Sequence, residues 1–233
     1  MIRKHRIVLS LDQVLIEEDI LQTPWPVSLQ TDISGNELLL IRLEQPGQCT
    51  ILGDLFSGLL HPSVGNVRFL GRDWSKVGPD FANGMRGKIG RIFCRGAWFI
   101  KLTIRENILM RPLHHSRLSV AKVQAEAAQL GLDLGLPGLP TGYPEEALPT
   151  DLERAAWIRA FLGTPQLILL EEPFQDWPHP ASCRLIQVMG RARLRGAAVI
   201  WMTRNPSVWK DSSLPATRRM RLANRRLTEV TCP

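Results

Sequence analysis

The sequence predicts an α/β fold, a mixed sheet flanked by helices, with an antiparallel β edge near the start of the chain and an inserted helical segment before the last strands. Three observations carry this. Leu167-Ile168-Leu169-Leu170 and Gly196-Ala197-Ala198-Val199-Ile200-Trp201-Met202-Thr203 are apolar at consecutive positions, as strands buried on both faces are. Val27 to Ile33 instead alternates apolar and polar, the pattern of a strand with one wet face. Glu171-Glu172 follows directly on the first apolar run, and acids at the carboxyl end of a central strand lie where open α/β sheets bind ligands. The plainer alternative is a solvated Glu pair capping a core strand.

Taken in order, Ile7 to Leu11 and Gln13 to Ile16 read as short strands, and Pro24-Trp25-Pro26 breaks the pattern before the alternating strand. Ser34-Gly35-Asn36 turns into a strand over Glu37 to Leu43, and Glu44 to Cys49 forms a loop. Thr50 to Leu60 has helical periodicity, with Leu52, Leu55, Phe56 and Leu59 on one face. Thr103 and Glu106 are spaced as a capping box for the helix that follows. Ser119 to Leu130 is helical in pattern, Gly131 to Pro140 is a Gly/Pro-rich connector, and another helix begins near Pro149-Thr150-Asp151.

The 233 residues, 44% hydrophobic and 22% charged, can bury one substantial core with an inserted subdomain. No apolar run approaches the roughly 18 residues a membrane span needs. The start, Met1-Ile2-Arg3-Lys4-His5-Arg6, is basic but lacks a signal peptide's long apolar region, so a cytoplasmic location is expected. Cys49, Cys94, Cys183 and Cys232 are far apart in sequence and form no C-x-x-C, suggesting reduced thiols rather than a zinc site or disulfide framework. Net charge is +7, with arginines concentrated at 184, 191, 193 and 195 and again at 218, 219, 221, 225 and 226. Such clusters suit anionic lipid, nucleic acid or an acidic partner, or are simply solvated faces. The adjacent His114 and His115 suit neither helical metal ligation nor a triad.

Phe56-Ser57-Gly58-Leu59-Leu60-His61-Pro62-Ser63-Val64-Gly65-Asn66-Val67-Arg68-Phe69-Leu70-Gly71-Arg72-Asp73 resembles the segment after the Walker A loop in ATPase subunits of ABC transporters, which implies a P-loop NTPase (RecA-like) fold. That family's loop reads G-x-x-G-x-G-K-[ST], because glycines let backbone N–H groups approach phosphates and the lysine reaches the terminal ones. Counting back from Gly58 without gaps, the three glycines fall on Leu43, Pro46 and Gln48, the lysine on Cys49 and the Mg²⁺-binding hydroxyl on Thr50. Gly47 stands one residue out of place. Pro46 lacks a backbone donor and Cys49 lacks a positive charge, so ATP and Mg²⁺ are expected to bind orders of magnitude more weakly.

The rest of the resemblance is similarly worn. Met85 to Phe99 is similar to the strand leading into the Q-loop, whose glutamine becomes Cys94. Residues 108–155 match the helical subdomain, which divides the core into 1–107 and 156–233. The LSGGQ signature becomes Ala147-Leu148-Pro149-Thr150-Asp151, ahead of a recognisable helix at Glu153-Arg154-Ala155-Ala156-Trp157-Ile158-Arg159-Ala160-Phe161. Glu171 takes the Walker B acid position and Glu172 that of the catalytic glutamate. The D-loop is replaced by Gln175-Asp176-Trp177-Pro178, and the switch histidine is Arg204. Glu171-Glu172-Pro173-Phe174, Ala97-Trp98-Phe99 and Arg111-Pro112-Leu113 resemble the ATPase subunit of Mla-type lipid transporters, which implies a cytoplasmic subunit, peripheral on the inner face of the membrane.

Phosphoryl transfer relies on positioning and charge stabilisation, and one such lost contact costs about 3 kcal/mol. Several together leave little turnover. The expected function is therefore a degenerate nucleotide-binding subunit, a pseudo-ATPase that docks a permease and pairs either with its own copy or with an intact ATPase. Gly47, Gln48, Cys49, Thr50, Cys94, Glu171 and Arg204 form its worn nucleotide site, with Thr50 and Glu171 as the Mg²⁺ positions if metal binds. The first alternative is an active ATPase with a remodelled site and Glu172 as its general base. The second has the arginine clusters bind anionic membrane or nucleic acid, although no nucleic-acid module accompanies them and no nucleic-acid partner is expected. Trp98, beside the Q-loop position, is the expected permease contact.

Overall fold

The computed structural model describes residues 6–17, 26–94, 96–174 and 176–230. The Pro24-Trp25 break, the basic start before Arg6, Gln175 and Cys232 lie outside these. Ten strands form one mixed sheet in the order β5-β4-β1-β2-β10-β9-β3-β8-β7-β6. The antiparallel flank consists of β1 (Ile7–Ile16), β2 (Val27–Ser34), β4 (Val64–Phe69) and β5 (Arg72–Asp73). The parallel part contains β3 (Leu38–Arg42), β6 (Ile89–Ile92), β7 (Leu167–Glu171) and β8 (Ala198–Thr203), with β9 (Arg218–Ala223) alongside β3. β10 (Arg226–Glu229) returns antiparallel to β9 and touches β2 at Arg226 and Ser28, which joins the two parts.

The sequence logic of doubly buried strands is visible in β3 and β7. Leu39, Ile41, Leu167 and Leu169 face one apolar cluster with helix α1 (Gln48–Phe56) and α2 (Pro79–Arg86), while Leu38, Leu40, Ile168 and Leu170 face a second. The second is covered by α3 (Ile104–His115), α4 (Val120–Asp133), α5 (Pro149–Phe161) and α6 (Ser182–Leu194). A short α7 (Pro206–Lys210) follows β8. Each fully buried Leu or Ile contributes about 1.5–3 kcal/mol, which is why consecutive aliphatics settle only here. The capping box forms: Thr103 Oγ1 accepts from the Glu106 amide at 3.2 Å, and Glu106 Oε2 accepts from the Thr103 amide at 2.8 Å.

Three expectations need correction. The two short strands at the start are one strand, β1, bulged where the register with β2 shifts between Leu11 and Val14. Gln13 there has φ 48°, and Gly65 on β4 leaves space that a Cβ would take from the Gln13 carbonyl. The helix after the loop begins earlier, at Gln48, and ends at Phe56. Gly58 at φ 66° turns the chain away because any Cβ would strike the Trp74 ring, so Leu59 is exposed rather than on the packed face.

Candidate functional site

β3 and β7 flank β8, so the segment after β3 comes beside the acids that end β7. Gly47, with φ 83°, caps the start of α1. Gln48 is buried, and its side-chain carbonyl accepts from the Glu44 amide at 3.2 Å and the Gln45 amide at 3.0 Å. In a phosphate loop the backbone donors of this stretch would be turned toward a ligand. Here two of them are satisfied by the chain's own side chain. Cys49 is buried at the lysine position, with Cys94 and Glu171 close by. Burial, reinforced by those two neighbours, pushes its thiol up to about 12, so the position is uncharged near neutral pH.

Glu171 is fully buried and both of its oxygens are engaged. Oε2 accepts from Thr50 Oγ1 at 3.2 Å and from the Cys94 amide at 3.3 Å. Oε1 pairs with Nε of Arg91, a β6 side chain only 7% exposed. The same guanidinium reaches Asp54 Oδ1 on α1 at 2.6 Å and donates to the Thr50 carbonyl at 3.1 Å. Burial raises the Glu171 pKa, while Arg91, the Cys94 amide and the Thr50 hydroxyl work against that rise. Thr50, Cys94 and Glu171, which the sequence reading grouped, lie together here, with Arg91 and Asp54, which it did not single out, beside them.

Glu172, at φ 45°, turns the other way. Its Oε2 accepts from Thr203 Oγ1 at 3.0 Å, and its Oε1 accepts from the Arg204 amide at 2.7 Å and Arg204 Nε at 3.1 Å. The general-base candidate is thus held by an arginine rather than presented to a water. At the signature position, Leu148 is exposed and Pro149 starts α5, while Asp151 sits 4.0 Å from Arg154. Beyond it, Trp177 donates to Asp211 at 2.9 Å and packs against Phe174 and Trp201.

A groove of about 820 Å³ opens beside the Q-loop position, lined by Phe93, Trp98, Phe99, Met110, His115 and Arg159 among others. Arg159 on α5 shapes it. Its Nη1 and Nη2 donate to the Ala97 and Gly96 carbonyls at 2.7 and 2.6 Å, and its guanidinium lies 4.4 Å from the Trp98 ring centre. Phe99 in its lining is exposed, as is Ile100, the next residue along the chain. Several arginines of the two clusters are engaged within the chain instead. Arg191 pairs with Asp133, Arg193 holds the Asn36 and Pro215 carbonyls, Arg218 pairs with Glu37 and Glu229, Arg219 holds the Asp211 carbonyl, and Arg221 pairs with Glu44.

The donor set at Thr50 and Glu171 does not fit Mg²⁺. That ion needs free carboxylate oxygen at short range in an octahedron, whereas the Arg91 guanidinium already covers the Glu171 carboxylate and reaches Asp54 and the Thr50 carbonyl beside it. Among the described residues, no group of three His, Cys, Asp or Glu side chains could hold a metal ion, and no helix is long and apolar enough to cross a membrane.

No family model matches the chain. Over 141 residues it is 32% identical to the sulfate/thiosulfate import ATP-binding protein of Mycolicibacterium paratuberculosis, a match covering 60% of this chain and 37% of that protein. It is 31% identical over 133 residues to the spermidine/putrescine import ATP-binding protein of Chromobacterium violaceum, covering 56% and 35%. Against the sulfate/thiosulfate import ATP-binding protein of Salmonella typhi it is 28% identical over 170 residues, covering 71% and 45%. The chain therefore spans less than half the length of these curated relatives. In fold it matches the ATP-binding subunit of an ABC transporter at TM-score 0.79, with 19% identity over 96% of this chain and 90% of that one. It also matches a dimeric ATP-binding cassette bound to ADP and Pi at TM-score 0.80, with 17% identity over 97% and 99%. In sequence and in fold alike, the chain is similar to the ATP-binding subunits of ABC transporters.

Proposed function

We propose that the chain is the nucleotide-binding-type subunit of a membrane transporter, one that keeps the fold and docks a permease but does not turn over ATP. The observation that carries this reading is the loop closing on itself: Gln48 accepts from the Glu44 and Gln45 amides, beside an uncharged Cys49. Pro46 supplies no backbone N–H, and Glu172 is tied to Arg204. Docking is supported by the Trp98 groove, whose exposed apolar rim and Arg159 suit a cytoplasmic segment of a permease. The named relatives are subunits of importers, which favours a membrane partner.

In this reading the subunit sits at the inner face of the membrane. It works as a dimer, either with its own copy or with an intact ATPase that supplies the hydrolysis. The phospholipid cargo implied by the Mla-type segments is part of the proposal and is supported by those segments alone. Two measurements test the reading. Turnover of ATP by the purified chain is expected to be absent, and turnover that disappeared in Glu172→Gln would refute the proposal. Purification from cells is expected to bring a permease with it, and that association is expected to weaken in Trp98→Ala.

A second reading, an active ATPase with a remodelled site, is favoured by the gathering of Glu171, Glu172 and Arg204 at adjacent strand ends beside Thr50 in the first turn of α1. Titration with ATP at fixed Mg²⁺ separates the two. Tight binding supports the second reading, and no binding supports the first.

A further inference from the structure

We propose that Arg91 is a built-in counter-ion standing where this fold would hold its divalent cation, so that the chain itself neutralises the acid ending β7 and the site takes no metal. The inference deepens the reading above and relies on it for the identity of the Thr50 and Glu171 positions.

Register places the arginine. β6 runs parallel to β7, pairing Arg91 with Leu169, two residues before Glu171. Its guanidinium then reaches Glu171, Asp54 and the Thr50 carbonyl together, so Nε and both terminal nitrogens each meet an acceptor. The Phe93 ring lies 4.5 Å from the guanidinium carbon and covers it. On the other side α1 crosses at Gly53, where a Cβ would come within 2.5 Å of Glu171 Oε1 and 2.6 Å of Arg91 Nη2. Glycine at this turn leaves the space the ion pair fills.

The physical requirement is simple. A carboxylate with no exposure needs a compensating positive charge close to it. A bound cation or a guanidinium can provide it, but not both in the same space. The guanidinium is tethered to the neighbouring strand, always protonated, and forked to meet two acids and a carbonyl. A divalent ion brought up to Thr50 and Glu171 would sit against the Arg91 guanidinium, two positive charges close together in a poorly screened interior.

The experiment uses the full chain without nucleotide, reading Mn²⁺ binding by electron paramagnetic resonance and the thermal midpoint with Mg²⁺ or EDTA. The wild type is expected to retain no Mn²⁺ at millimolar concentration and to show the same midpoint in Mg²⁺ and EDTA. Arg91→Met is expected to melt lower, to regain part of that loss in Mg²⁺, and to retain Mn²⁺. The double variant Arg91→Met/Glu171→Leu is expected to melt above Arg91→Met and to lose the Mg²⁺ response. Mn²⁺ retained by the wild type and lost in Glu171→Gln would overturn the proposal, as would an Arg91→Met chain that folds without any cation response. If Arg91→Met does not fold, the double variant decides: a folded double supports charge compensation, and a double as damaged as the single overturns it. None of these readouts involves ATP, so ATP turnover would defeat the functional reading while leaving the cation result to stand or fall separately.

Discussion

The loop at residues 43–50 and the groove beside Trp98 both follow the carboxyl ends of parallel strands, yet they treat their polar groups in opposite ways. Around the loop, the Glu44 and Gln45 amides, Glu171 and Arg91 all find partners within the chain. Around the groove, Arg159 and Arg111 are spent on backbone carbonyls, and burial holds both guanidiniums down at about 10, but Phe99 and Ile100 are left uncovered. The lesson is that one region is finished by folding while the other leaves apolar surface open, as the proposed docking requires. An ATPase at work would show the reverse at the loop, with donors waiting for a ligand.

The strongest way to break this contrast is to open the closed region. Arg91→Ala leaves Glu171 buried and unpaired and is expected to cost about 3–5 kcal/mol in urea unfolding. A cost below about 1 kcal/mol would mean that Glu171 reaches water and that the region is not closed. Next, Arg159→Ala removes two charge-assisted bonds to the carbonyls behind Trp98 and should cost about 2–3 kcal/mol. It should also shift tryptophan emission to the red and weaken permease recovery. An unchanged spectrum would show that the loop needs no support from α5.

Gln48→Ala uncovers the Glu44 and Gln45 amides and should cost about 1–3 kcal/mol. Hydrogen exchange sharpens the point, since those two amides should exchange faster while β3 stays protected. Equal protection in both chains would assign them other partners. The smallest effect is expected at Glu153, whose Oε1 is buried without a partner and whose pKa burial lifts to about 7 from an ordinary 4.5, with Arg154 opposing. A carboxyl raised by folding contributes stability that is complete below 4.5 and fades as pH rises through about 7. The thermal midpoint should therefore drop by a few degrees across that window, and Glu153→Gln should flatten the drop. A slope that survives the substitution belongs to another group.

Much of the fold was legible because its signals are local. The doubly buried β7 and β8, the alternation of β2 and the Thr103 capping box depend on residues close in sequence. Leu59 misled because Gly58 carried a stronger local signal, a helix stop, than the helical spacing did. The hairpin of β9 and β10 was hidden by its own charge: Arg218, Arg219 and Arg221 read as a basic cluster, although Met220 and Leu222 are buried and the arginines have acceptors elsewhere in the chain. The site divides the same way. Thr50, Cys94 and Glu171 could be placed by the spacing of motifs. Arg91 could not, because an arginine in a four-residue strand shows its burial only when Glu171, 80 positions away, and the space at Gly53 are known. Gln48 was placed in the loop, but its inward turn is a rotamer, which spacing does not encode.

One consequence concerns what residue 49 can become. Cys49 fills a spot that is 2% exposed, next to an acid already balanced by Arg91. A lysine there would bring a longer side chain and a second positive charge beside Arg91, so Cys49→Lys alone is expected to lower stability. A positive charge at residue 49 therefore calls for a compensating change at residue 91, so the two positions on neighbouring elements act as a pair.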